Sequence, residues 1–189
     1  MLGQTRNFFK TPNKAKERYK KAYVIVHSRD FNSKVCILVG RHSLHGFGTF
    51  PGGTQDVIDG GCFINTIKRE FREETGVDIA EYPNSSFIRL SKPEEPVQIY
   101  RLPVEYSRLV SICAHFSPQK RHILDAGIDL IAIMEAGKSL QEVFSSANSD
   151  YFHEFLNTIP GVENVFSKYT NKTQVADAWM QVMYSKETP

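Results

Sequence analysis

The chain has 189 residues, 41% hydrophobic and 23% charged, a composition that supports one buried core and excludes global disorder. No apolar run is long enough to cross a membrane and none follows the basic start, so neither a membrane span nor a secretory signal is expected. Net charge is +2, but residues 1–22 hold seven basic side chains against Glu17, giving that arm +6 and leaving −4 for the remainder.

Residues 1–20 therefore read as a basic arm and 21–189 as one domain with helices at its C-terminal end. The arm either contacts RNA through phosphates or is a solvated leader; no aromatic residue is interleaved between Lys10 and Arg18 for base stacking. Cys36, Cys62 and Cys113 are widely spaced and form no C-x-x-C pair, which indicates a reducing, cytoplasmic setting with Cys36 and Cys113 as small apolar residues of the core.

In chain order, Ala22 to Ser28 and Val35 to Gly40 are β-branched runs separated by Asp30, Asn32 and Ser33, the pattern of a hairpin. Gly46 to Gly53 holds four glycines and Pro51, which predicts a loop whose backbone closely approaches a phosphate or a metal. The period then becomes helical from Phe63 to Thr75, with Gly76 as the left-handed residue that ends it. Strands are expected at Ser86–Leu90, Val97–Leu102, Leu109–Phe116 and Ile128–Met134. After Gly137 the pattern predicts helices over Leu140–Ser146, Tyr151–Ile159 and from Asn171 or Thr173 to Tyr184. The C-terminal helices, with Trp179, either cover the sheet or form a contact in a homodimer. Strands and helices intermix around one long helix, which predicts an α+β sandwich with a mixed sheet.

That helix carries the chemistry. At about 100° per residue, with Glu70 set at zero, Glu74 lies at about 40° and Glu73 at about −60°. Ile67, Phe71 and Ile64 fall at about 60°, 100° and 120°, so an apolar stripe faces the sheet and three carboxylates crowd its border. Like charges on adjacent turns destabilise a helix and raise one another's pKa. Arg69, four residues before Glu73, is expected to neutralise only one of them. Such a set suits a hard divalent cation, because magnesium takes oxygen ligands and completes its shell with waters and phosphates. Glu–Glu pairs on helices are commonly just solvated, but one Arg, three Glu and one Gly at fixed places arise by chance only about once in 10⁶ starting points.

The segment Arg69-Glu70-Phe71-Arg72-Glu73-Glu74-Thr75-Gly76-Val77 resembles the second half of the Nudix box, R-E-U-x-E-E-x-G-U, where U is a bulky apolar residue. Phe50 to Gly53 (F-P-G-G) is similar to that family's entry loop. The first half of the box departs: Gly61 stands where the pattern has Glu, and Gly53 lies eight positions before it instead of six. Asp59 or Asp56 in the longer loop is a substitute for the missing carboxylate. The resemblance implies a Nudix-type α/β/α sandwich with a central catalytic helix, and hydrolysis of a phosphoanhydride bond with magnesium, or manganese in its place. It implies Glu70 and Glu74 as metal ligands, Glu73 as a further or water-mediated one, the Gly52 carbonyl as an added oxygen, and Arg69 as the residue that orients Glu73. The general base is Glu70 or a later glutamate, with Glu105, Glu135 and Glu142 as candidates.

The family's substrates are nucleoside diphosphates linked to a variable group, and a nucleotide-derived small molecule is the expected partner here. Pro93, sixteen residues beyond Val77, stands near the spacing of ADP-ribose hydrolysing members, though K-P-E-E-P is also an ordinary turn. Gly53 belongs to the glycine loop. Arg41, His42 and His45 before that loop hold phosphate or form a solvated hairpin end, while Phe47 and Phe31 stack on a base or cap the core. The alternatives are an RNA cap or 5′-pyrophosphate hydrolase, suggested by the basic arm, and a catalytically weakened nucleotide-binding module, suggested by Gly61.

Overall fold

The computed structural model describes residues 20–117, 127–144, 152–162, 176, 179 and 180. The basic arm, apart from Lys20, and most of the last expected helix lie outside these residues.

Among the described residues seven strands join in one mixed sheet. β1 (Lys21–Arg29) and β2 (Val35–His42) form the expected hairpin, paired antiparallel through His27 and Ile37, Ser28 and Cys36, and Arg29 and Val35. Asp30 closes its turn by accepting the N–H groups of Asn32 and Lys34 at 2.9 and 2.8 Å. The glycine stretch expected as a loop contributes two short strands, β3 (Gly48–Thr49) against β2 and β4 (Gly52–Thr54) against the start of β1. Backbone pairing satisfies their polar groups even though glycine and proline disfavour strands. β5 is shorter than expected, Ile88–Arg89, because a 3₁₀ turn occupies Asn84–Ser86. β6 (Val97–Pro103) runs parallel to β1 from Lys21 opposite Val97 to His27 opposite Pro103, and β7 (Ile128–Glu135) runs antiparallel to β2.

The helix α1 occupies Phe63–Thr75, with Gly76 at φ 76° closing it through its N–H to the Arg72 carbonyl. The expected strand Leu109–Phe116 is corrected to a helix, α2 (Tyr106–Ala114). Leu109 and Ile112, three apart, are both buried on one face, and a short apolar run of this kind satisfies either period. α3 (Lys138–Phe144) and α4 (Phe152–Leu156) follow.

Strand alternation sends side chains to two cores. Ala22, Val24 and Val26 of β1 pack with Ile67 and Phe71 of α1 and with Leu109 and Ile112 of α2. On the opposite face Ile25 and Ile99 pack with Leu140, Phe144, Phe152 and Trp179. The architecture is an α+β sandwich with helices on both sheet faces, and Trp179 belongs to the layer that covers the sheet.

Candidate active site

The β1–β4 pairing brings Gly52 opposite Tyr23 and Gly53 opposite Ala22, and α1 packs across this end of the sheet. Fully burying Ile67 and Phe71 rotates Glu70 and Glu74 into a crevice beside β4. Both are buried, at 5% and 4% exposure, whereas the Glu73 side chain remains partly exposed. The Gly52 N–H donates to Glu74 Oε2 at 2.8 Å. A Cβ on Gly53 would stand 2.6 Å from the Glu70 carboxyl carbon, so any side chain here would displace that carboxylate from its present place. The three glutamates share a cleft of about 530 Å³ with Gly52 and Gly53.

Arg69 reaches further than the single partner expected of it. Its Nη1 donates to Glu70 Oε1 at 2.9 Å and approaches both Glu73 oxygens at 3.4 Å. Nε and Nη2 donate to the two oxygens of Asp59 at 3.0 Å each, and Nη2 also donates to the Thr54 carbonyl at 2.9 Å. The planar fork of donors makes this possible. Asp59 is 2% exposed and also accepts Thr66 Oγ1 at 2.9 Å and the Asp56 N–H at 2.8 Å. It ends a 3₁₀ turn, Val57–Asp59, in a reciprocal capping arrangement with Asp56. Burial pushes the Asp59 pKa up, but the hydrogen bonds from Arg69, Asp56 and Thr66 outweigh it and hold the carboxyl below its ordinary value. The Arg69 guanidinium is held protonated chiefly by the Asp59 hydrogen bond, against the opposing effect of burial. Of the two acids offered for the missing carboxylate, Asp59 is the one joined to Arg69; Asp56 lines the cleft.

The other expected residues are distributed differently. Arg41 is bound bidentately by Asp129 at 2.8 and 3.1 Å. His45 stacks on His42 with ring centroids 4.8 Å apart, and it is His42 that lines the cleft. Burial, then the neighbouring His45, hold the His42 pKa below its ordinary value, with Asp129 opposing and Lys21 adding. Phe47 packs against the core under α3 and α4. Phe31 is 93% exposed at the hairpin tip, edge-on to Tyr106. The Pro93 carbonyl accepts Gln98 Nε2 at 3.4 Å, in a loop outside the described cleft lining. Glu105 precedes α2, Glu135 pairs with Lys34 at 2.8 Å, and neither they nor Glu142 are among the described cleft residues. Lys21, Tyr23, Thr49 and Gln55 line the cleft and were not singled out from the sequence. Their placement depends on β1 pairing with β4 across thirty residues, which no local pattern announces.

Among the described residues no three His, Cys, Asp or Glu side chains are already gathered as a metal cage. Two buried carboxylates on one cleft wall are nevertheless the donor set that suits magnesium, which takes one or two carboxylates and fills its shell with waters and substrate phosphates. The residues present fit that ion.

No family model and no curated protein matches the sequence. Solved structures to which the chain is similar include Nudix or MutT proteins and an Ap4A hydrolase. The NUDIX domain of Shewanella oneidensis NrtR, complexed with ADP ribose, is 15% identical, with 68% of this chain and 79% of that chain covered at a TM-score of 0.45. A mutT/nudix family protein from Listeria innocua is 16% identical, with 75% and 93% covered and a TM-score of 0.47. The C. elegans Ap4A hydrolase is 13% identical, with 72% and 95% covered and a TM-score of 0.45. No helix among the described residues is long and apolar enough to cross a membrane.

Proposed function

We propose that the chain is a magnesium-dependent hydrolase of a phosphoanhydride bond in a nucleoside diphosphate linked to a second moiety. The observation that supports this reading is the meeting of the R-E-F-R-E-E-T-G-V helix with the Gly52–Gly53 backbone, where Glu70 and Glu74 are buried against β4 in one cleft. Glu70 and Glu74 hold the ion, with Glu73 and the Gly52 carbonyl as supplementary oxygens and manganese as an acceptable substitute. When bound, the ion neutralises charge on the phosphates and lowers the pKa of a coordinated water. Arg69 fixes the Glu70 and Glu73 carboxylates, and the Gly52 N–H fixes Glu74. Glu70 takes a proton from the attacking water. Lys21 supplies a positive donor and His42 a neutral one to the substrate phosphates, which lowers the cost of bringing an anion beside three glutamates.

The test is a panel of nucleotide derivatives containing ADP-ribose, a dinucleoside polyphosphate and a 5′-capped RNA, incubated with magnesium and analysed by mass. Release of a nucleoside monophosphate is expected from at least one of them, and Glu74→Gln is expected to lower its rate by about 100-fold or more with the fold retained. An unchanged rate in Glu74→Gln refutes the metal-site assignment. Removing residues 1–20 separates the two substrate classes, since only an RNA substrate should lose affinity and salt dependence.

A further inference from the structure

The far end of β1 presents a second cluster of functional groups, His27 to Arg29, about 20 Å along the strand from Lys21 and Tyr23. In the parallel pair with β6, Arg101 stands opposite Ile25 and Pro103 opposite His27. With alternating side chains, His27, Arg29 and Arg101 share the sheet face of Ile25 and Ile99. They line an open cavity of about 280 Å³, together with Val35, Pro103 and Pro160.

Among the described residues the charge in this cavity is unbalanced. Arg29 donates to the carbonyls of Ser33 and Pro160 at 2.8 and 3.2 Å, which satisfies hydrogen bonds but not charge. Arg101 Nε and His27 Nε2 are buried and have no hydrogen-bond partner among the described residues. No carboxylate is among the described residues that line the cavity. By contrast, Arg41 pairs with Asp129, Arg69 with Asp59 and Arg108 with Glu81. Arg101 is half-buried with its Nε unpartnered, Arg29 is exposed with Nη1 and Nη2 each on one carbonyl, and the donors that the two guanidinium groups have left suit an oxyanion. A carboxylate would balance one of the charges; a phosphate dianion balances both.

We propose that the cavity between the ends of β1 and β6 is a binding site for phosphate or a phosphate monoester, separate from the acidic cleft. The cationic surroundings also bear on His27, whose pKa is lowered to about 4 by burial and then by Arg101 and Arg29. A bound dianion reverses the effect of the two arginines and raises that pKa. This inference stands independently of the hydrolase reading.

The experiment titrates inorganic phosphate into the full chain in metal-free buffer at constant ionic strength. Heat is followed by calorimetry and the His27 ring resonances by NMR, with acetate as a parallel titrant. One saturable site is expected, together with a rise of the His27 pKa, and Arg101→Gln is expected to weaken binding by about tenfold or more. Arg29→Gln is the second variant and should weaken it likewise, while Glu74→Gln should leave it unchanged. Absence of saturable binding, equal binding by Arg101→Gln and Arg29→Gln, or equal affinity for acetate overturns the proposal. So does a His27 pKa at or above its ordinary value of 6.5 in phosphate-free buffer, since the chain itself then supplies the counter-charge.

Discussion

Arg69 is where the acidic helix becomes tolerable to the fold. Its donors are shared among Asp59, Glu70, Glu73 and the Thr54 carbonyl, so one guanidinium links the inserted loop, β4 and α1. Asp59→Asn keeps the size of the side chain, removes the charge that balances Arg69 and turns one of the two accepting oxygens into a donor. With Asp59 at 2% exposure, the loss is expected to be about 3 kcal/mol, measured as a lower urea midpoint at neutral pH. A midpoint within experimental error of the parent shows that Arg69 is held without Asp59. The three glutamates were legible in the sequence because helical spacing alone places them on one border. Asp59 appeared there only as one of two substitutes, because its approach to Arg69 depends on the 3₁₀ turn and on Gly60 at φ 62°, a conformation that residue order does not specify.

Elements with a long, single period were readable: α1 has the expected bounds, and β1, β2, β6 and β7 lie within two residues of theirs. α2 was not, since its nine residues hold apolar groups compatible with both alternation and a helical stripe, and only packing of Leu109 and Ile112 against β1 and α1 decides the matter. The β5–β6 connection has a comparable hidden determinant. Gln98 is fully buried, and its Nε2 donates to the Lys92 and Glu95 carbonyls at 2.8 Å each, which folds K-P-E-E-P back on the strand. Gln98→Leu adds apolar burial but removes the donor that those carbonyls accept from. It is expected to cost about 1–2 kcal/mol and to speed amide hydrogen exchange across residues 94–98. Unaltered exchange there would assign the loop's shape to its prolines alone.

At the scale of the whole molecule, the acidic cleft and the cationic cavity lie at opposite ends of β1, and the two respond differently to acid. His27 has its pKa lowered from 6.5 to about 4, so its unfolded form takes up a proton first. Its contribution is therefore complete above pH 6.5, declines as pH falls toward 4, and changes no further below that. Asp59, whose pKa is lowered from 3.8, adds a second decline that begins near that value and ends below its folded pKa. Urea midpoints measured in chloride buffer should fall in these two stages, and His27→Gln should flatten the first without touching the second. A parent profile flat between pH 6.5 and 4 contradicts the assignment to His27. The contact between Trp179 Nε1 and the Gly46 carbonyl, 2.9 Å long and spanning 133 positions, has an optical consequence. The chain has one tryptophan, and this indole sits on the turn that follows His42, itself a wall of the cleft. Filling the cleft with nucleotide should change the colour or yield of the protein's emission, giving an intrinsic signal for occupancy that requires no label, and a spectrum unmoved at saturation would show that the turn is insulated from the cleft.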